Sequence, residues 1–479
     1  MDEFLAAYPD YATTSRLDEL RAAEYAYLDA CGHVYLDYTG AGLAADAQLR
    51  AHAERLRSGC FGNPHSENPA SAASTALIDR ARAAVLRYFN ASPQEYVAIF
   101  TPNATGACRL VGEAYPFRPW SRLLLTADNH NSVNGLREFA RRRGAPVRYV
   151  GMSPGDLRVG DAHVSDALGR GIGRRRRPGL FAYPAQSNFS GVQHPLAWAD
   201  RAQAAGWDVL LDAAAFVPTS RLDLSEVKPE FVTVSWYKVF GYPTGVGCLL
   251  ARRDALARLR RPWFSGGTIW GASVQGRWHR LTDDESAFED GTLNFLSIPD
   301  VETGLAWISD IGIDTIHRRV GCLTGWLLGC LAGLKHGNGA PLVRIYGPQD
   351  GTGRGGAVTF NFLDAGGAVI DERTVARDTS AAGISVRTGC FCNPGAAERA
   401  FGLTGKALRG PWRRGRLRPD LKSADDYLSL LGLPTGGAVR VSLGLASNLS
   451  DVERFVDFAE QTYRDREPDS AGLAPRLRC

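Results

Sequence analysis

FVTVSWYKVFGYPTGVGCLLA, residues 231–251, contains two apolar runs that flank a lysine and a turn rich in glycine and proline. The apolar runs FVTV and GVGCLLA are typical of buried strands. Lys238 follows the first run almost directly, and burying an ammonium group at such a place is costly. One solution is to convert the amine into an imine with a bound aldehyde, and the alternative is a lysine that stays exposed at the strand end.

Short apolar runs of this kind alternate with amphipathic stretches through the middle of the chain. Nearly continuous apolar strands separated by helices predict a mostly parallel sheet covered on both faces, with the ligand beyond the carboxyl ends of the strands. The predicted strands lie at 96–100, 122–127, 146–150, 179–184, 208–214, 231–236 and 245–251, and predicted helices lie at 70–89 and 130–144.

The pattern changes after the segment FEDGTLNF at 288–295. One long helical stretch, 297–337, precedes short strand-like runs and a last helix, which predicts a smaller α+β domain. We therefore expect an N-terminal segment, 1–44, associated with the small domain, a large domain at 45–310 and the small domain at 311–479.

Composition excludes several classes of protein. A chain of 479 residues with 44% hydrophobic and 22% charged residues is typical of a globular protein of two or three domains. The net charge of +4 is too small to indicate a nucleic-acid partner, and the arginine-rich run at 169–179 predicts a solvated loop. The acidic N-terminus lacks the basic region of a secretory signal, and no apolar stretch is long enough for a membrane helix. Nine mostly isolated cysteines favour a reducing, cytoplasmic setting.

Two further segments follow predicted strands. Asp212 ends the run VLLD, where a carboxylate could hold a pyridine nitrogen protonated or could cap a helix. The segment FTPNATGA, 100–107, ends one strand and opens a helix near Thr105. The free N–H groups at such a helix start suit a phosphate, although many helices begin with threonine.

Taken together, the motifs are more specific than any one of them. Their order resembles that of the class V aminotransferases, and most of all the cysteine-desulfurase-like N-terminal part of the molybdenum cofactor sulfurases. The resemblance runs from about residue 33 to the end and rests on LDYTGAG, GNPHS, FTPNATGA, DNHNSV, PAQSNFSG, LLDAA, SWYKVFGYPTG, FEDGT and RTGCFCNPG. It implies fold type I, an α/β fold with a large domain around a mostly parallel seven-stranded sheet and a smaller α+β domain, and pyridoxal 5'-phosphate as the cofactor.

The resemblance also implies a role for each matching residue. Lys238 would bind the cofactor covalently and act as the base, Asp212 would pair with its pyridine nitrogen, and His130 would stack on its ring. Asn188 would bind the phenolic oxygen of the cofactor and the substrate. The phosphate would contact Ala104, Thr105 and Ser235, together with Thr268 and Thr292 of the neighbouring subunit. Because residues of the neighbouring subunit would contact the phosphate, the resemblance also implies a homodimer with active sites at the interface.

RTGCFCNPG, residues 387–395, is consistent with half of a metal site, a disulfide, a reactive thiol or a plain loop. No second CxC or HxxxH motif exists to complete a zinc site, so we predict no metal. By the resemblance, Arg387 clamps the substrate carboxylate and Cys392 is the nucleophile. Whether Cys390 relays sulfur or tunes Cys392 stays open, and Cys479 is expected to be an exposed tail thiol.

The implied reaction is desulfuration of L-cysteine, or of a cysteine-derived small molecule, with sulfur passed to an acceptor protein or cofactor. Some residues depart from the common desulfurase pattern: Ala215 replaces a glutamine, Tyr237 a histidine, and Ala397 a third cysteine of the molybdenum-cofactor branch. The C-terminal cofactor-binding domain of that branch has no counterpart before Cys479, so transfer of sulfur to molybdenum cofactor on this same chain is not implied, and a separate molybdenum-cofactor-binding protein or a sulfur carrier could be the acceptor. One alternative is a carbon–sulfur lyase acting on a cysteine conjugate, which would need Lys238 but not Cys392. The others are an epimerase and a non-catalytic scaffold.

Overall fold

Residues 2–64, 66–169, 179–409, 412–413, 416–417, 423–433, 435–467, 473 and 476 are described by the computed structural model. The predicted arginine-rich loop, apart from its two end residues, and Cys479 lie outside these residues.

The chain forms seventeen strands among these residues. They are β1 (Val34–Tyr35), β2 (Tyr96–Thr101), β3 (Leu123–Thr126), β4 (Val147–Val150), β5 (Leu180–Pro184), β6 (Asp208–Asp212), β7 (Phe231–Ser235), β8 (Gly247–Arg252), β9 (Ile269–Ser273), β10 (Trp278–Leu281), β11 (Val343–Tyr346), β12 (Ala357–Phe362), β13 (Ile384–Ser385), β14 (Arg387–Gly389), β15 (Trp412–Arg413), β16 (Arg416–Leu417) and β17 (Ala438–Ser442).

The helices of the same described residues are α1 (Asp2–Ala7), α2 (Arg16–Glu24), α3 (Ala26–Ala30), α4 (Asp46–Ser58), α5 (Pro69–Tyr88), α6 (Ala104–Ala114), α7 (Asn131–Asn134), α8 (Leu136–Arg142), α9 (Asp161–Gly169), α10 (Trp198–Ala204), α11 (Trp236–Phe240), α12 (Arg253–Leu256), α13 (Pro299–Ile311), α14 (Ile313–Gly333), α15 (Glu372–Ala381), α16 (Pro394–Ala400), α17 (Gly405–Arg409), α18 (Ala424–Leu430) and α19 (Leu449–Tyr463). Two 3-10 helices, Pro9–Thr14 and Glu285–Phe288, complete the set.

A seven-stranded sheet in the order β2-β8-β7-β6-β5-β3-β4 is the centre of the molecule. All strand pairs are parallel except those that β8 makes with β2 and β7. The seven predicted strands and the mostly parallel α/β architecture are thus confirmed.

Both faces of this sheet are covered. In β3, Leu124 belongs to one buried cluster, whereas Leu123 and Leu125 belong to another. In β7, Val232 belongs to the same cluster as Leu124, and Phe231 belongs to the same cluster as Leu123 and Leu125. Because successive side chains of a strand point to opposite faces, each cluster fills one side of the sheet.

The carboxyl ends of the parallel strands meet at one edge of the sheet. Asp212 ends β6 and Ser235 ends β7, while His130 and Asn188 each stand four residues beyond the ends of β3 and β5. Four predicted site residues from four separate segments are therefore brought to the same edge.

A second, antiparallel sheet has the order β11-β12-β17-β14, and α14 and α19 pack near it. The N-terminal segment joins this part of the molecule, because β1 pairs in parallel with β13 and Asp37 forms a bridge with Ser442. The residue limits of the proposed domains stay a prediction.

The long helical stretch predicted at 297–337 is two helices, α13 and α14, separated by Gly312. Gly312 has a φ of +86°, a left-handed conformation that only glycine adopts without strain, so it ends α13. The hairpin of β9 and β10 was not predicted from the sequence. Within the described part of the chain, no helix has the length and apolarity to cross a bilayer, and no three metal-ligating side chains cluster.

Candidate active site

Lys238 lies in α11, the single helical turn that follows β7. The turn ends at Gly241, whose φ of +76° and close approach to the backbone of Leu43 leave no room for a side chain. Burial lowers the pKa of Lys238, the nearby Arg440 lowers it further, and the carboxylate of Asp212 opposes both. A larger share of the amine is therefore neutral, which is the form that reacts with an aldehyde.

Asp212 lies in the strand next to β7 and is only 8% exposed. Its Oδ1 accepts hydrogen bonds from the backbone N–H of Ala214 at 3.1 Å and from the hydroxyl of Thr233 at 3.2 Å. These two bonds fix the carboxylate and leave Oδ2 for another donor. A turn rather than a helix follows Asp212, so the alternative role of capping a helix is wrong.

His130 precedes α7 and caps it. Its Nδ1 accepts the backbone N–H of Ser132 at 3.1 Å, and the Ser132 hydroxyl lies 2.9 Å from the same nitrogen. Since Nδ1 accepts a hydrogen bond, the ring proton is on Nε2. Burial, followed by the charge of Lys238, lowers the pKa of His130 to about 4, so the imidazole is neutral at physiological pH.

Hydroxyl groups surround the starts of α6 and α7. The Ser235 hydroxyl accepts the backbone N–H of Ala104 at 3.0 Å, and the Thr105 hydroxyl lies 2.6 Å from that of Ser132. Thr105 is exposed, and Asn103 caps the helix by accepting the N–H of Gly106 at 2.9 Å. Free helix N–H groups beside several hydroxyls suit a phosphate. Ser132 was not predicted, although its place in the first turn after His130 was a usable signal.

The two loops expected to reach a neighbouring subunit lie side by side, since the N–H of Gly291 donates to the carbonyl of Gly266 at 3.0 Å. Thr292 is exposed, accepts a hydrogen bond from Asn63 and helps to line a cavity of about 330 Å³. Thr268 is buried, and its hydroxyl donates to the carbonyl of Ser265 at 2.8 Å and accepts the N–H of Ser265 at 3.0 Å.

Arg387 and Arg440 stand opposite each other on β14 and β17. Asp37 accepts from both: its Oδ2 lies 2.5 Å from Nη2 of Arg387, and its Oδ1 lies 2.9 Å from Nη2 of Arg440. The three side chains carry a net charge of +1, which suits one substrate carboxylate. Among the described residues, no acceptor lies within hydrogen-bonding distance of the buried Nε of Arg440.

Arg440 was missed from the sequence. It is only 3% exposed, Nη1 donates to the carbonyl of Asn188 at 2.9 Å, and the guanidinium stacks on the ring of Phe391 at 4.8 Å. An arginine in the centre of the apolar strand AVRVS was the signal that could have identified it, because buried arginines are rare without a functional or structural partner.

Cys392 is exposed, and the loop that carries it contacts the loops beyond β3 and β5. The carbonyl of Cys392 accepts the N–H of Asn131 at 2.7 Å, and the carbonyl of Phe391 accepts Nδ2 of Asn188 at 2.8 Å. No disulfide joins Cys390 to Cys392.

These groups fit pyridoxal phosphate. The lysine with its lowered pKa suits the aldehyde of the cofactor, and the fixed carboxylate, with one oxygen left over, suits the pyridine nitrogen. The neutral imidazole suits the ring, and the hydroxyl-rich helix start suits the phosphate. The amide of Asn188 keeps one N–H beyond the one given to Phe391, and this N–H can meet the phenolic oxygen.

Comparisons with known proteins agree with this description. A molybdenum cofactor sulfurase of Solanum lycopersicum is 35% identical over 499 residues, covering 98% of this chain and 60% of the relative. The chain spans between about half and three fifths of the length of the curated relatives it matches.

Solved structures share the fold. A cysteine desulfurase of Thermococcus onnurineus NA1, described as an apo structure, has a TM-score of 0.75 and 22% identity, covering 93% of this chain and 98% of that one. A complex described as the cystine C–S lyase C-DES with its product cysteine persulfide has a TM-score of 0.66 and 18% identity, covering 90% of this chain and 98% of that one. The family "Aminotransferase class-V" matches residues 34–455. The site fits pyridoxal phosphate, the cofactor of that family. The chain belongs to the class-V aminotransferases.

Proposed function

We propose that the chain is a cysteine desulfurase that moves the sulfur of L-cysteine onto Cys392 and releases L-alanine. One observation carries the proposal: an exposed thiol lies on a loop that is hydrogen-bonded to Asn131 and Asn188, next to the residues that fit the cofactor. A nucleophile placed there is needed for desulfuration and has no role in a simple carbon–sulfur lyase.

Pyridoxal phosphate, when bound, supplies an aldehyde for the amine of the substrate and a ring that withdraws electrons from Cα. Asp212 keeps the pyridine nitrogen protonated through its remaining oxygen, and the neutral ring of His130 adds no second positive charge beside Lys238. Lys238, with its lowered pKa, accepts the proton from Cα and returns a proton to the substrate.

Arg387 and Arg440 hold the substrate carboxylate. Their shared partner Asp37 uses one oxygen for each of them, and Arg440 also donates to the carbonyl of Asn188, so the N–H groups outside these bonds are left for one anion. This clamp suits a carboxylate and, together with a cofactor that reacts with an amine, fits an amino-acid substrate.

The sulfur transfer balances without an outside oxidant. The thiolate of Cys392 attacks the substrate sulfur, and an S–S bond forms as the bond between Cβ and sulfur breaks. The electron pair of the broken bond stays with the carbon, and Cβ gains a proton. The carbon is reduced, the transferred sulfur is oxidised, and the products are alanine and a persulfide on the enzyme.

The persulfide is then passed to an acceptor protein or cofactor. The curated relatives are named molybdenum cofactor sulfurases, and this chain spans only three fifths of the tomato relative. We assign to the residues described here the step that forms the persulfide, with molybdenum cofactor as one candidate for the final acceptor.

We further propose a homodimer. The β9–β10 hairpin exposes Trp270 at 68% and Trp278 at 51%, and neighbouring Trp263 and Phe264 are also exposed. Such a concentration of exposed aromatic side chains is typical of an interface. The occupant we propose is a second copy of this chain, because the loops with Thr268 and Thr292 adjoin the hairpin and match loops that reach a neighbour's phosphate.

The test of desulfuration uses purified protein with pyridoxal phosphate and L-cysteine. Alanine and protein-bound persulfide are measured together for the native chain, for Cys392→Ala and for the control Cys31→Ala, which removes another exposed thiol. We expect the native chain and the control to form both products and Cys392→Ala to form neither. Alanine without dependence on Cys392 would exclude this mechanism, and turnover of cysteine conjugates alone would indicate a lyase.

A further inference from the structure

We propose that Asn393 is a positioning residue, which fixes the place of Cys392 relative to the active site by tying its loop to the two loops beyond β3 and β5. The inference deepens the proposed function and rests on it. It concerns the second half of RTGCFCNPG, the NPG that the assignment of Arg387 and Cys392 leaves unexplained.

The Asn393 side chain is fully buried and makes three hydrogen bonds. Its Nδ2 donates to the carbonyl of Asp128 at 2.6 Å and to Oδ1 of Asn188 at 3.0 Å. Its Oδ1 accepts the N–H of Ala396 at 3.2 Å. Both N–H groups of the amide are thus used to join the cysteine loop to residues more than 200 positions earlier in the chain.

The segment around Asp128, which accepts a hydrogen bond from Asn393, is itself held firmly. Asp128 is fully buried, and its Oδ2 pairs with Nε2 of His194 at 2.7 Å. The His194 ring in turn stacks on Trp198 at 5.0 Å. The carbonyl that accepts the Asn393 N–H therefore belongs to a segment packed into the core, two residues before His130.

Gly395 permits the close approach. A Cβ at this position would overlap the carbonyl oxygen of Ala127, so the loop and the segment after β3 touch backbone to backbone. The sequence NPG thus combines a buried amide with a residue that has no side chain, and both serve the same contact.

The loop needs such support because its conformation is unfavourable by itself. Phe391 and Cys392 both have φ of +54°, a left-handed conformation that residues with a Cβ rarely adopt. Two consecutive residues of this kind persist only when the surrounding structure holds them. The bonds from Asn131 and Asn188 hold the carbonyls of Cys392 and Phe391, and Asn393 holds the chain directly after the thiol.

Asn393 also sets the orientation of the Asn188 amide. Because Asn393 donates to Oδ1 of Asn188, the Nδ2 end of that amide faces the Phe391 carbonyl and keeps its second N–H for the cofactor. One side chain thereby fixes both the thiol loop and a residue that meets the cofactor.

The competing explanation is that Asn393 only caps α16. Asn393→Asp separates the two roles, because aspartate still accepts the N–H of Ala396 but has no N–H to give to Asp128 and Asn188. Asn68→Asp is the matched control: Asn68 also caps a helix, also precedes a proline at the first helical position, and accepts the N–H of Ser71 at 3.0 Å.

The first measurement is the steady-state rate of alanine formation, with kcat and KM for L-cysteine separated. We expect Asn393→Asp to lower kcat roughly tenfold or more, because displacing a reacting group by about 1 Å has effects of this size or greater. We expect KM to stay within about twofold, since Lys238 and the two arginines are untouched. Asn68→Asp is expected to match the native chain. A native kcat in Asn393→Asp, or equal losses in both variants, would overturn the proposal.

The second measurement does not depend on turnover. The rate at which iodoacetamide alkylates Cys392 is followed by mass spectrometry on purified protein without L-cysteine. A released loop is expected to raise this rate at least about threefold in Asn393→Asp and to leave it unchanged in Asn68→Asp. An unchanged rate in Asn393→Asp would overturn the proposal. If the native chain forms no alanine, the proposed function fails, while the alkylation rates still decide whether Asn393 holds the loop.

Gly395→Ala provides an independent variant in case Asn393→Asp does not fold, as judged by circular dichroism. It leaves the Asn393 side chain in place but pushes the loop away from Ala127. We expect the same fall in kcat and the same rise in alkylation rate. Native behaviour of a folded Gly395→Ala would count against the proposal.

Discussion

Asp37 shows how a single residue sets the charge of the anion site. Arg387 and Arg440 are paired across two antiparallel strands, where like charges directly opposite each other are destabilising. The Asp37 carboxylate accepts from both, and Gly40 leaves room for this group, since a Cβ there would lie 2.5 Å from Asp37 Oδ2 and 2.6 Å from Arg387 Nη2. A site with two arginines and one carboxylate has room for one more negative charge.

The substitution Asp37→Asn removes this compensation. We expect it to lower the free energy of unfolding by about 3 kcal/mol, because the buried Arg440 loses its charged partner. We also expect a higher KM for L-cysteine, since the two arginines are no longer aligned. Urea unfolding and steady-state kinetics measure the two effects. The control is Asp310→Asn, which breaks the exposed pair with Arg16 and should cost less than about 1 kcal/mol; equal losses in both variants would contradict the prediction.

His130 gives the folded chain a dependence on pH. Its pKa is lowered to about 4 in the folded chain, whereas an unfolded histidine has a pKa of about 6.5. Between these two pH values the unfolded chain binds more protons than the folded chain. The contribution of the neutral His130 ring to the free energy of unfolding is therefore complete above about pH 6.5 and is lost as the pH falls toward 4.

We therefore expect cofactor-free native protein to lose about 2 kcal/mol more in free energy of unfolding between pH 7 and pH 5 than His130→Gln does. Urea unfolding at the two pH values measures the difference. The exposed His163 provides the control as His163→Gln, which should keep the native pH dependence. A pH dependence that is the same in His130→Gln and the native chain would show that the ring is not held neutral.

At the scale of elements, the start of α6 is placed by β8. Gly247 begins β8, and a Cβ there would lie 2.5 Å from the backbone of Asn103 and 2.9 Å from the N–H nitrogen of Ala104. The helix start that suits a phosphate is thus pressed against the strand that follows the lysine turn. A methyl group at this point must push α6 out of place.

Gly247→Ala is accordingly expected to weaken binding of pyridoxal phosphate about tenfold or more, because the helix N–H groups no longer face the phosphate. An absorbance titration of cofactor-free protein gives the dissociation constant. Gly151→Ala is the control, since a Cβ at Gly151 would meet no atom within 4 Å. Native affinity in Gly247→Ala would mean that the phosphate does not bind at α6.

The elements that could be predicted from the sequence are those governed by local pattern. The seven strands of the large sheet were predicted because each is a nearly continuous apolar run. The places of Asp212 at the end of β6 and of Lys238 just after β7 follow from those strands. The helix predicted at 130–144 is instead α7 and α8, joined at Gly135, which apolar periodicity does not reveal. Arg440 was missed because its partner Asp37 lies 403 residues away, and no local pattern records such a contact.

At the scale of the whole molecule, the exposed β9–β10 hairpin bears on assembly. A monomer would leave Trp270, Trp278 and Val274 in water, with Val274 at 97% exposure. Exposure of this kind was not predicted, because the sequence WGASVQGRWHRL carries no strong apolar periodicity.

We predict that the native chain sediments as a dimer of two 51.8 kDa chains and that Trp270→Glu shifts it toward the monomer. Analytical ultracentrifugation at micromolar concentration measures this shift. Trp120→Glu, at a tryptophan that is 50% exposed elsewhere on the surface, is the control and should remain dimeric. A native chain that sediments as a monomer at these concentrations would contradict the homodimer.

The pairing of Asp37 with Arg387 and Arg440 has a consequence for biosynthesis. The carboxylate leaves the ribosome early, but its partners follow 350 and 403 residues later. Lys238 and Asp212 are translated well before either arginine, so a nascent chain has the lysine proposed to bind the cofactor before it has the proposed carboxylate clamp. In the proposed reaction, turnover therefore requires that synthesis has passed Arg440, and the thiol of Cys392 becomes active only together with the clamp that admits its substrate.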